Sequence, residues 1–388
     1  MKASEFADAL VAEVREIYGS KEFIPLHAPT LGEREKALVT RAIDSTFVSS
    51  VGQEVIDFEN SLADYTGAQH AVAASSGTAA LHATLHALGV QRGEEVITTP
   101  LTFVATCNAI SYCGATPVFV DVDMDTLGLS PESLRDFLEE HGEVRDDGHC
   151  WNKSSGKKIR ACLPVHNLGH PVRAREILSL CTSYHIVLVE DAAESLGSFF
   201  EDTHTGRIGL AGTLSFNGNK IITTGGGGAI ITDSADLAKN IKHLTTTAKK
   251  QHPYLFIHDE VGFNYRLPNL NAALGLAQME RLDAFVKQKR ALADRYRDWA
   301  SGFEHVSFFL EPQRARSNYW LNALWMPDQS FRDEVLERSN EKGIMTRPMW
   351  TPMTALPMYE HCQQYNLINA REIEKRLISI PSSPVIQC

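Results

Sequence analysis

Between Ala71 and about Asp233, short apolar runs of strand-like composition alternate with longer helix-like stretches. This alternation is typical of a parallel or mixed sheet that is covered by helices. The expected strands are 71–74, 95–98, 117–120, 158–165, 186–190, 212–216 and 228–231. The expected helices are 78–88, 103–113, 130–140, 172–184 and 234–245. The sequence therefore predicts an α/β fold.

Further elements are expected on both sides of this region. Residues 2–18 and 31–46 have helical periodicity, and Thr30 is the expected cap of the second helix. A long helix is predicted from 269 to about 299. Beyond it, the segments expected to build a smaller α+β domain are 306–309, 319–325, a helix near 330–342 and a last one at 371–377.

Two domains follow from this organisation. We expect a large α/β domain with a mixed, mostly parallel sheet over residues 1–250, including the N-terminal helical segment. A smaller C-terminal α+β domain is expected over residues 251–388. The polar stretch 141–157 is predicted to be a surface loop, and 348–357 an irregular segment that can line a site.

Composition excludes several classes of protein. The 388 residues fit about two domains, and the net charge of −11 disfavours nucleic acid or an anionic membrane surface as the main partner. Apolar stretches are too short to span a membrane, and the acidic start of the chain is unlike a signal peptide. Seven scattered cysteines without a C-x-x-C pair favour reduced thiols in a cytoplasmic protein.

A phosphate-binding turn is expected where a helix begins directly after the first strand, at Ser75-Ser76-Gly77-Thr78. Free backbone N–H groups and the positive end of the helix dipole favour a phosphate there, and Gly77 lets the backbone approach it. Ser215, at the end of a later strand, can add a hydroxyl group. An ordinary capped helix has the same local sequence, so this turn alone does not decide between the two.

Asp191 follows the apolar run 186–190. A carboxylate at the carboxyl end of a strand can hydrogen-bond a protonated ring nitrogen, although it can also cap the next helix. A metal site is disfavoured. The His82 and His86 pair lacks the glutamate of a zinc-binding helix, and the His166 and His170 pair spans a glycine-containing loop.

Lys220 lies between a tight turn and the glycine run Gly225 to Gly228. This position favours an imine-forming amine over an ordinary surface lysine. The run does not fit a G-x-x-x-x-G-K nucleotide loop, so we interpret it as a hairpin that turns the backbone behind Lys220. Phe103 is expected to stack on a planar ring from the opposite face, although a single aromatic is more often part of a core.

Together these residues provide a phosphate site, a stacking ring, an acid for a ring nitrogen and an amine for an aldehyde. Pyridoxal 5′-phosphate requires this set of partners. Their place at the ends of strands agrees with the usual ligand site of open α/β sheets. We therefore expect pyridoxal 5′-phosphate as the cofactor, Lys220 as its imine-forming lysine and proton shuttle, and Asp191 on its ring nitrogen.

In these features the chain resembles the DegT/DnrJ/EryC1/StrS sugar aminotransferases, which have the aspartate aminotransferase fold, or fold type I. The resemblance runs from about Ile24 to Pro384. The motifs that carry it are Gly52-Gln53-Glu54-Val55-Ile56-Asp57-Phe58-Glu59, Ser76-Gly77-Thr78-Ala79-Ala80-Leu81, Thr102-Phe103-Val104-Ala105-Thr106, Glu190-Asp191-Ala192-Ala193-Glu194, Ser215-Phe216 with Lys220, and Gly262-Phe263-Asn264-Tyr265-Arg266.

The resemblance implies a homodimer with a shared site, in which Asn264 of one subunit reaches the cofactor phosphate held by the other. It also places Glu194 beside the ring oxygen of the cofactor, where many members of the family have glutamine. A carboxylate at this position is expected to be either protonated or paired with a neighbour such as His166.

The sequences from Phe216 to Lys220 and from Thr224 to Gly228 are similar to those of the family branch that aminates C4 of nucleotide-linked 4-keto-6-deoxy sugars. This implies L-glutamate as the amino donor and a UDP- or GDP-linked ketosugar as the acceptor. Ser49, Ser50 and the segment 347–352 are candidate sugar-nucleotide contacts.

Several alternatives remain open. One is C3 amination of a dTDP-ketosugar, and another is a non-catalytic regulator that binds the same cofactor. A dehydratase of this fold is disfavoured because its relatives have histidine where this chain has Lys220. A Rossmann oxidoreductase is disfavoured because no G-x-G-x-x-G follows an early strand.

Overall fold

The computed structural model of the protein describes residues 1–385. Its strands are β1 (His70–Ala74), β2 (Glu95–Thr98), β3 (Thr116–Val120), β4 (Gly142–Val144), β5 (Cys150–Asn152), β6 (Lys158–Leu163), β7 (Val187–Asp191), β8 (Phe199–Phe200), β9 (Thr203–His204), β10 (Ala211–Ser215), β11 (Gly228–Thr232), β12 (Ser307–Phe308), β13 (Ala315–Arg316), β14 (Asn322–Trp325), β15 (Arg347–Pro348), β16 (Gln364–Tyr365) and β17 (Leu377–Ile380).

The α-helices cover these strands and extend beyond them. They are α1 (Ala3–Tyr18), α2 (Glu33–Asp44), α3 (Gln53–Thr66), α4 (Gly77–Ala87), α5 (Ala105–Tyr112), α6 (Pro131–His141), α7 (Ala174–Ser183), α8 (Ala235–Thr245), α9 (Asn269–Met279), α10 (Leu282–Ala300), α11 (Gln329–Glu341) and α12 (Ile368–Arg376). Over residues 1–385, each helix is too short or too polar to cross a lipid bilayer.

The central sheet has ten strands, ordered β1-β11-β10-β7-β6-β2-β3-β16, with β5 paired to β6 and β4 paired to β5. From β10 to β16 along this order, neighbouring strands are parallel, whereas β11 is antiparallel to both β1 and β10. The carboxyl ends of the parallel strands therefore meet at one edge. This mixed, mostly parallel sheet confirms the predicted fold class.

A smaller antiparallel sheet, ordered β12-β14-β17-β15, lies in the C-terminal part of the chain. Its apolar face packs against α1, α10 and α11, where Phe6 and Tyr296 are fully buried. The first helix of the chain therefore shares a core with the last strands. The division into two domains near residue 250 stays a prediction. Helix α1, which the prediction assigns to the large domain, packs against the C-terminal sheet.

Most predicted elements of the central region lie within one or two residues of the observed ones. The predicted strand 158–165 is too long because it ends at Leu163. Pro164 follows and has no N–H to extend the ladder of hydrogen bonds. The predicted cap Thr30 is also wrong. Gly32 is the N-terminal cap of α2, and its N–H donates to the Glu35 carboxylate at 2.7 Å.

Two larger predictions are wrong. The stretch 141–157 is not a plain loop, because β4 and β5 form a hairpin there that pairs with the start of β6. The long helix predicted from 269 to about 299 is two helices, α9 and α10. Arg281 interrupts it with a φ of −111°, and its guanidinium lies 3.2 Å from the Glu35 carboxylate of α2.

Candidate active site

A cavity of about 440 Å³ opens at the carboxyl edge of the central sheet. It contains every residue predicted for catalysis or cofactor binding except Asn264. The residues that line it are Ser76, Gly77, Thr78, Leu81, Thr102, Phe103, Ala105, Thr106, Val165, Asp191, Ala193, Glu194, Ser215, Asn217, Asn219, Lys220, Gly226, Gly227, Trp320 and Trp350. The topology brings these distant parts of the sequence together because β7, β10 and α4 end or begin at this edge.

The first wall of the cavity is the start of α4. Ser76 caps this helix by accepting a hydrogen bond from the Ala79 N–H at 3.0 Å. A Cβ added to Gly77 would lie 2.9 Å from the Ser215 Cβ, so glycine is required for this close approach. The turn is thus a capped helix whose first N–H groups lie beside the Ser215 hydroxyl, an arrangement that can bind an anion.

Asp191 lies at the end of β7 and is 3% exposed. One carboxylate oxygen accepts a hydrogen bond from the Thr106 hydroxyl at 2.8 Å, and the other accepts from the Ala193 N–H at 3.1 Å. It caps no helix. Burial raises the pKa of Asp191, although the bonds from Thr106 and Ala193 and the charge of Lys220 oppose this. A cationic partner in the cavity would favour its ionised form.

Lys220 lies in the hairpin between β10 and β11, and Gly225 turns this hairpin with a φ of +79°. The glycine run therefore acts as the predicted hairpin. The Lys220 Nζ lies 3.3 Å from the Glu194 carboxylate and 3.9 Å from the centroid of the Trp320 ring. Its side chain is 12% exposed. The amine thus points into the cavity between a carboxylate and an aromatic face.

Glu194 pairs with Lys220 and not with His166. Its second oxygen accepts a hydrogen bond from the Leu168 N–H at 2.8 Å. Burial raises the pKa of Glu194, while the charge of Lys220 and the bond from Leu168 lower it. The His166 Nε2 instead lies 3.0 Å from the Glu190 carboxylate, and its Nδ1 accepts from the Val172 N–H at 3.1 Å. His166 is therefore outside the set that lines the cavity.

The remaining predicted residues differ in position. Phe103 lines the open side of the cavity, is 56% exposed and lies 6.0 Å from the Trp350 ring between centroids. Trp350 is the residue of the predicted segment 347–352 that lines the cavity. Ser49 and Ser50 do not line it. Asn264 is exposed, and its side-chain oxygen accepts a hydrogen bond from Arg266.

Sequence reasoning missed Trp320. The prediction placed it in the segment 319–325 of the smaller domain, and no local pattern indicates that it reaches a lysine 100 positions earlier. Its ring arrives at Lys220 because the segment before β14 is bonded to loops of the large domain, through the Leu321 N–H to the Leu168 carbonyl and the Trp320 Nε1–H to the Asn219 carbonyl. Thr106 belonged to a recognised motif, but its bond to Asp191 follows only from the structure.

The residues present fit pyridoxal 5′-phosphate. The space beside Gly77, which a Cβ would fill, leaves free N–H groups and the Ser215 hydroxyl for a phosphate. Asp191 offers a buried carboxylate for a ring nitrogen, and Lys220 offers an amine for the aldehyde. These groups converge on one cavity, as a bound cofactor of this kind requires.

Comparison with known proteins identifies the family of the chain. The model of the DegT/DnrJ/EryC1/StrS aminotransferase family matches residues 29–387. The GDP-perosamine synthase of Escherichia coli O157:H7 is 35% identical, over 94% of this chain and 94% of that protein. The GDP-perosamine synthase of Vibrio cholerae is 33% identical, over 93% of this chain and 94% of that protein.

A solved aminotransferase structure has the same fold as this chain. The aminotransferase TlmJ from Streptoalloteichus hindustanus superposes with a TM-score of 0.85 at 27% identity, covering 94% of this chain and 95% of that one. The match extends over the central sheet and the smaller sheet together. The chain therefore belongs to the DegT/DnrJ/EryC1/StrS aminotransferase family and is a pyridoxal 5′-phosphate-dependent sugar aminotransferase of fold type I.

Proposed function

We propose that this enzyme moves an amino group from L-glutamate to C4 of a GDP-linked 4-keto-6-deoxy sugar, in the synthesis of a surface glycan sugar. The observation that carries this proposal is the position of Lys220 between Glu194 and the cavity, in a chain 35% identical to a GDP-perosamine synthase over almost its full length. The product named for these relatives is GDP-perosamine. UDP is the alternative nucleotide.

The phosphate group and the ring of the cofactor have separate partners. The start of α4 and the Ser215 hydroxyl would hold the phosphate, because the N–H groups there have no partners within the helix. Asp191 would bind the ring nitrogen and keep it protonated. When bound, the cofactor supplies an aldehyde that joins an amine and a ring that withdraws electrons from the neighbouring carbon.

Lys220 is the residue that moves the proton. Its amine would hold the cofactor by condensing with the aldehyde, with loss of water, and once the donor amine had taken its place on that carbon the Nζ would be free beside Glu194. The free Nζ would then take a proton from the α-carbon of the donor and deliver it to the former aldehyde carbon of the cofactor, after which water would release 2-oxoglutarate. Glu194 holds the ammonium form of Lys220 in place, at 3.3 Å. The same steps in reverse deliver the amine to the ketosugar.

A homodimer is part of the proposal. Two stretches expose several large apolar side chains, Phe47, Val48, Val51, Ile56, Tyr254, Leu255, Phe256, Ile257 and Val261. A second copy of the chain would cover them, and Asn264, which follows the second stretch, would then reach the phosphate site of the other subunit. A cytoplasmic location also stays a proposal, supported by free thiols at all six cysteines within residues 1–385.

The test is a screen of nucleotide-linked 4-ketosugars with L-glutamate as the donor. We expect 2-oxoglutarate release with the GDP-linked sugar, and nuclear magnetic resonance of the product should place the amine at C4. Turnover of the UDP-linked sugar alone would correct the nucleotide. Amination at C3 of a dTDP-linked sugar, or no release with any sugar, would refute the proposal, and the second result would favour a regulator.

A further inference from the structure

Trp320 contacts the amine of Lys220 through the face of its ring. The Nζ lies 3.9 Å from the ring centroid, and Trp320 is 2% exposed. Glu194 approaches the same nitrogen at 3.3 Å. An ammonium group over an indole face is attracted by the ring quadrupole, and the attraction is larger when water is excluded. The amine is therefore held by two different groups.

The edge of the same ring fixes the backbone beside the lysine. The Trp320 Nε1–H donates to the Asn219 carbonyl at 2.7 Å. Asn219 directly precedes Lys220 in the hairpin, and the Lys220 N–H donates to the Asn217 carbonyl at 3.0 Å. The Trp320 side chain thus fixes the backbone next to Lys220 and also contacts the amine at the end of the Lys220 side chain.

Trp320 is itself held by contacts with other elements. Its N–H donates to the Asn318 side-chain oxygen at 2.7 Å, and the Asn318 amide donates to the Glu194 carbonyl at 3.0 Å. This asparagine therefore couples Trp320 to the segment that carries Glu194. The Asn318 side chain thus fixes the backbone of both Trp320 and Glu194, the two residues that contact the Lys220 amine.

Lys289 of α10 completes this support. It is fully buried, and its Nζ donates to the Trp320 carbonyl at 3.0 Å and to the Ser382 carbonyl. Burial holds the pKa of Lys289 well below its usual range. A buried amine with two carbonyl acceptors ties the Trp320 backbone to the end of the small sheet, so the ring has little freedom to move away.

We propose that Trp320 is a positioning residue that keeps the Lys220 amine over the reacting carbon while the amine is not joined to the cofactor. The inference rests on the proton-transfer role proposed for Lys220. A free lysine side chain gains rotational freedom, and holding it costs entropy. Contact with the ring and with Glu194 offsets this cost, so the amine stays where it can take and return a proton.

The test compares Trp320→Leu, which removes the ring, with Trp320→Phe, which keeps an aromatic face but loses the Nε1–H. In the cofactor-free full chain, Lys220 is labelled by reductive methylation, and peptide mass spectrometry gives its labelling rate relative to Lys242. Lys242 is a suitable reference because it lies on α8 and pairs with Glu59 at 2.5 Å. Single-turnover rates with L-glutamate are measured on the loaded enzymes.

For Trp320→Leu we expect the relative labelling rate of Lys220 to rise about 10-fold and the single-turnover rate to fall about 10-fold, as loss of a desolvated cation–π contact implies. The half-saturating glutamate concentration should change by less than about 2-fold, because the ring acts on the transition state. Trp320→Phe should show a smaller effect on both rates.

Circular dichroism and thermal unfolding first establish that the variants are folded, and Trp320→Phe serves if Trp320→Leu is not. The proposal is overturned if folded Trp320→Leu, or Trp320→Phe where the leucine variant does not fold, keeps both rates within about 2-fold of the wild type, or if only one of them changes. The labelling does not depend on a sugar acceptor. Failure of the sugar screen with a positive labelling result would therefore count against the proposed acceptor and not against Trp320.

Discussion

The Asp191 carboxylate is fixed on both oxygens, by Thr106 and by the Ala193 N–H. We predict that Asp191→Asn slows the single-turnover rate with L-glutamate by at least about 100-fold, a size typical of the loss of a preorganised electrostatic contact. Asparagine keeps the shape and can still bond Thr106, whose hydroxyl both donates and accepts. The cofactor dissociation constant should therefore rise by much less, which a fluorescence titration checks. Equal losses of rate and affinity would count against the role.

At the scale of single residues, local sequence was sufficient where a residue acts through its own backbone setting. Gly77 opens a helix and Lys220 lies in a glycine hairpin, and both patterns are local. The partners of Lys220 could not be predicted in the same way. Glu194 was expected to be either protonated or paired with a neighbour such as His166, and Trp320 reaches the amine from a segment 100 residues further along the chain. Contacts of this kind depend on how separate elements pack.

At the scale of elements, Glu190 joins β7 to the loop before β10. Its carboxylate accepts hydrogen bonds from the N–H groups of Gly206, Ile208 and Gly209, and it contacts His166. Burial alone would raise its pKa, but the bonds from His166 and the backbone outweigh burial and lower it. An ionised, fully bonded carboxylate is thus part of the link between these elements.

We predict that Glu190→Gln lowers the free energy of unfolding by about 3–5 kcal/mol at pH 7, because an amide group cannot accept all of these bonds. Since the folded pKa lies below the ordinary value, the wild type keeps this stability above that ordinary value. It loses the stability as pH falls through the folded pKa. The gap between wild type and variant should therefore narrow in acid.

Urea unfolding at pH 7 and near pH 4 measures this gap. The control is Glu143→Gln, because Glu143 pairs with Arg145 on the surface and is exposed. Its effect should stay within about 0.5 kcal/mol at pH 7. A Glu190→Gln variant as stable as this control would show that the Glu190 link does not contribute to stability.

The elements themselves were predicted unequally, for physical reasons. Buried parallel strands such as β3 and β7 contain a run of apolar residues and were found with nearly correct ends. The hairpin of β4 and β5 was missed because its strands are short and partly exposed. The break between α9 and α10 has no glycine or proline to mark it, and Arg281 turns away to pair with another helix.

At the scale of the whole molecule, the apolar stretch 254–261 should be covered by a second copy of the chain. Phe256 is 82% exposed, and Tyr254 is 79% exposed. We predict that the enzyme is a homodimer by light scattering. Phe256→Asp should shift it toward monomer and lower activity in parallel, because a buried charge without a partner is costly.

Ile368→Asp is the matched control, because Ile368 is also exposed, at 74%, but lies on α12, outside both apolar stretches. It should leave the mass and the activity unchanged. A fully active wild-type monomer, or equal effects of the two substitutions, would contradict the predicted interface.

The arrangement of the whole chain was predicted in part. The alternation of strands and helices indicated the sheet, since each element is recognised locally. The pairing of β16 with β3 and the packing of α1 beside the small sheet were not predicted, because they join segments that are far apart in sequence. Such contacts depend on the folding of the complete chain.

The most direct test of the central claim identifies the lysine that joins the cofactor. The full-length enzyme with pyridoxal 5′-phosphate is reduced with borohydride, digested and analysed by peptide mass spectrometry. We predict that the cofactor mass lies on Lys220, and that Lys220→Ala abolishes both this label and 2-oxoglutarate release. A label on another lysine such as Lys289, or continued release by the Lys220→Ala variant, would contradict the account.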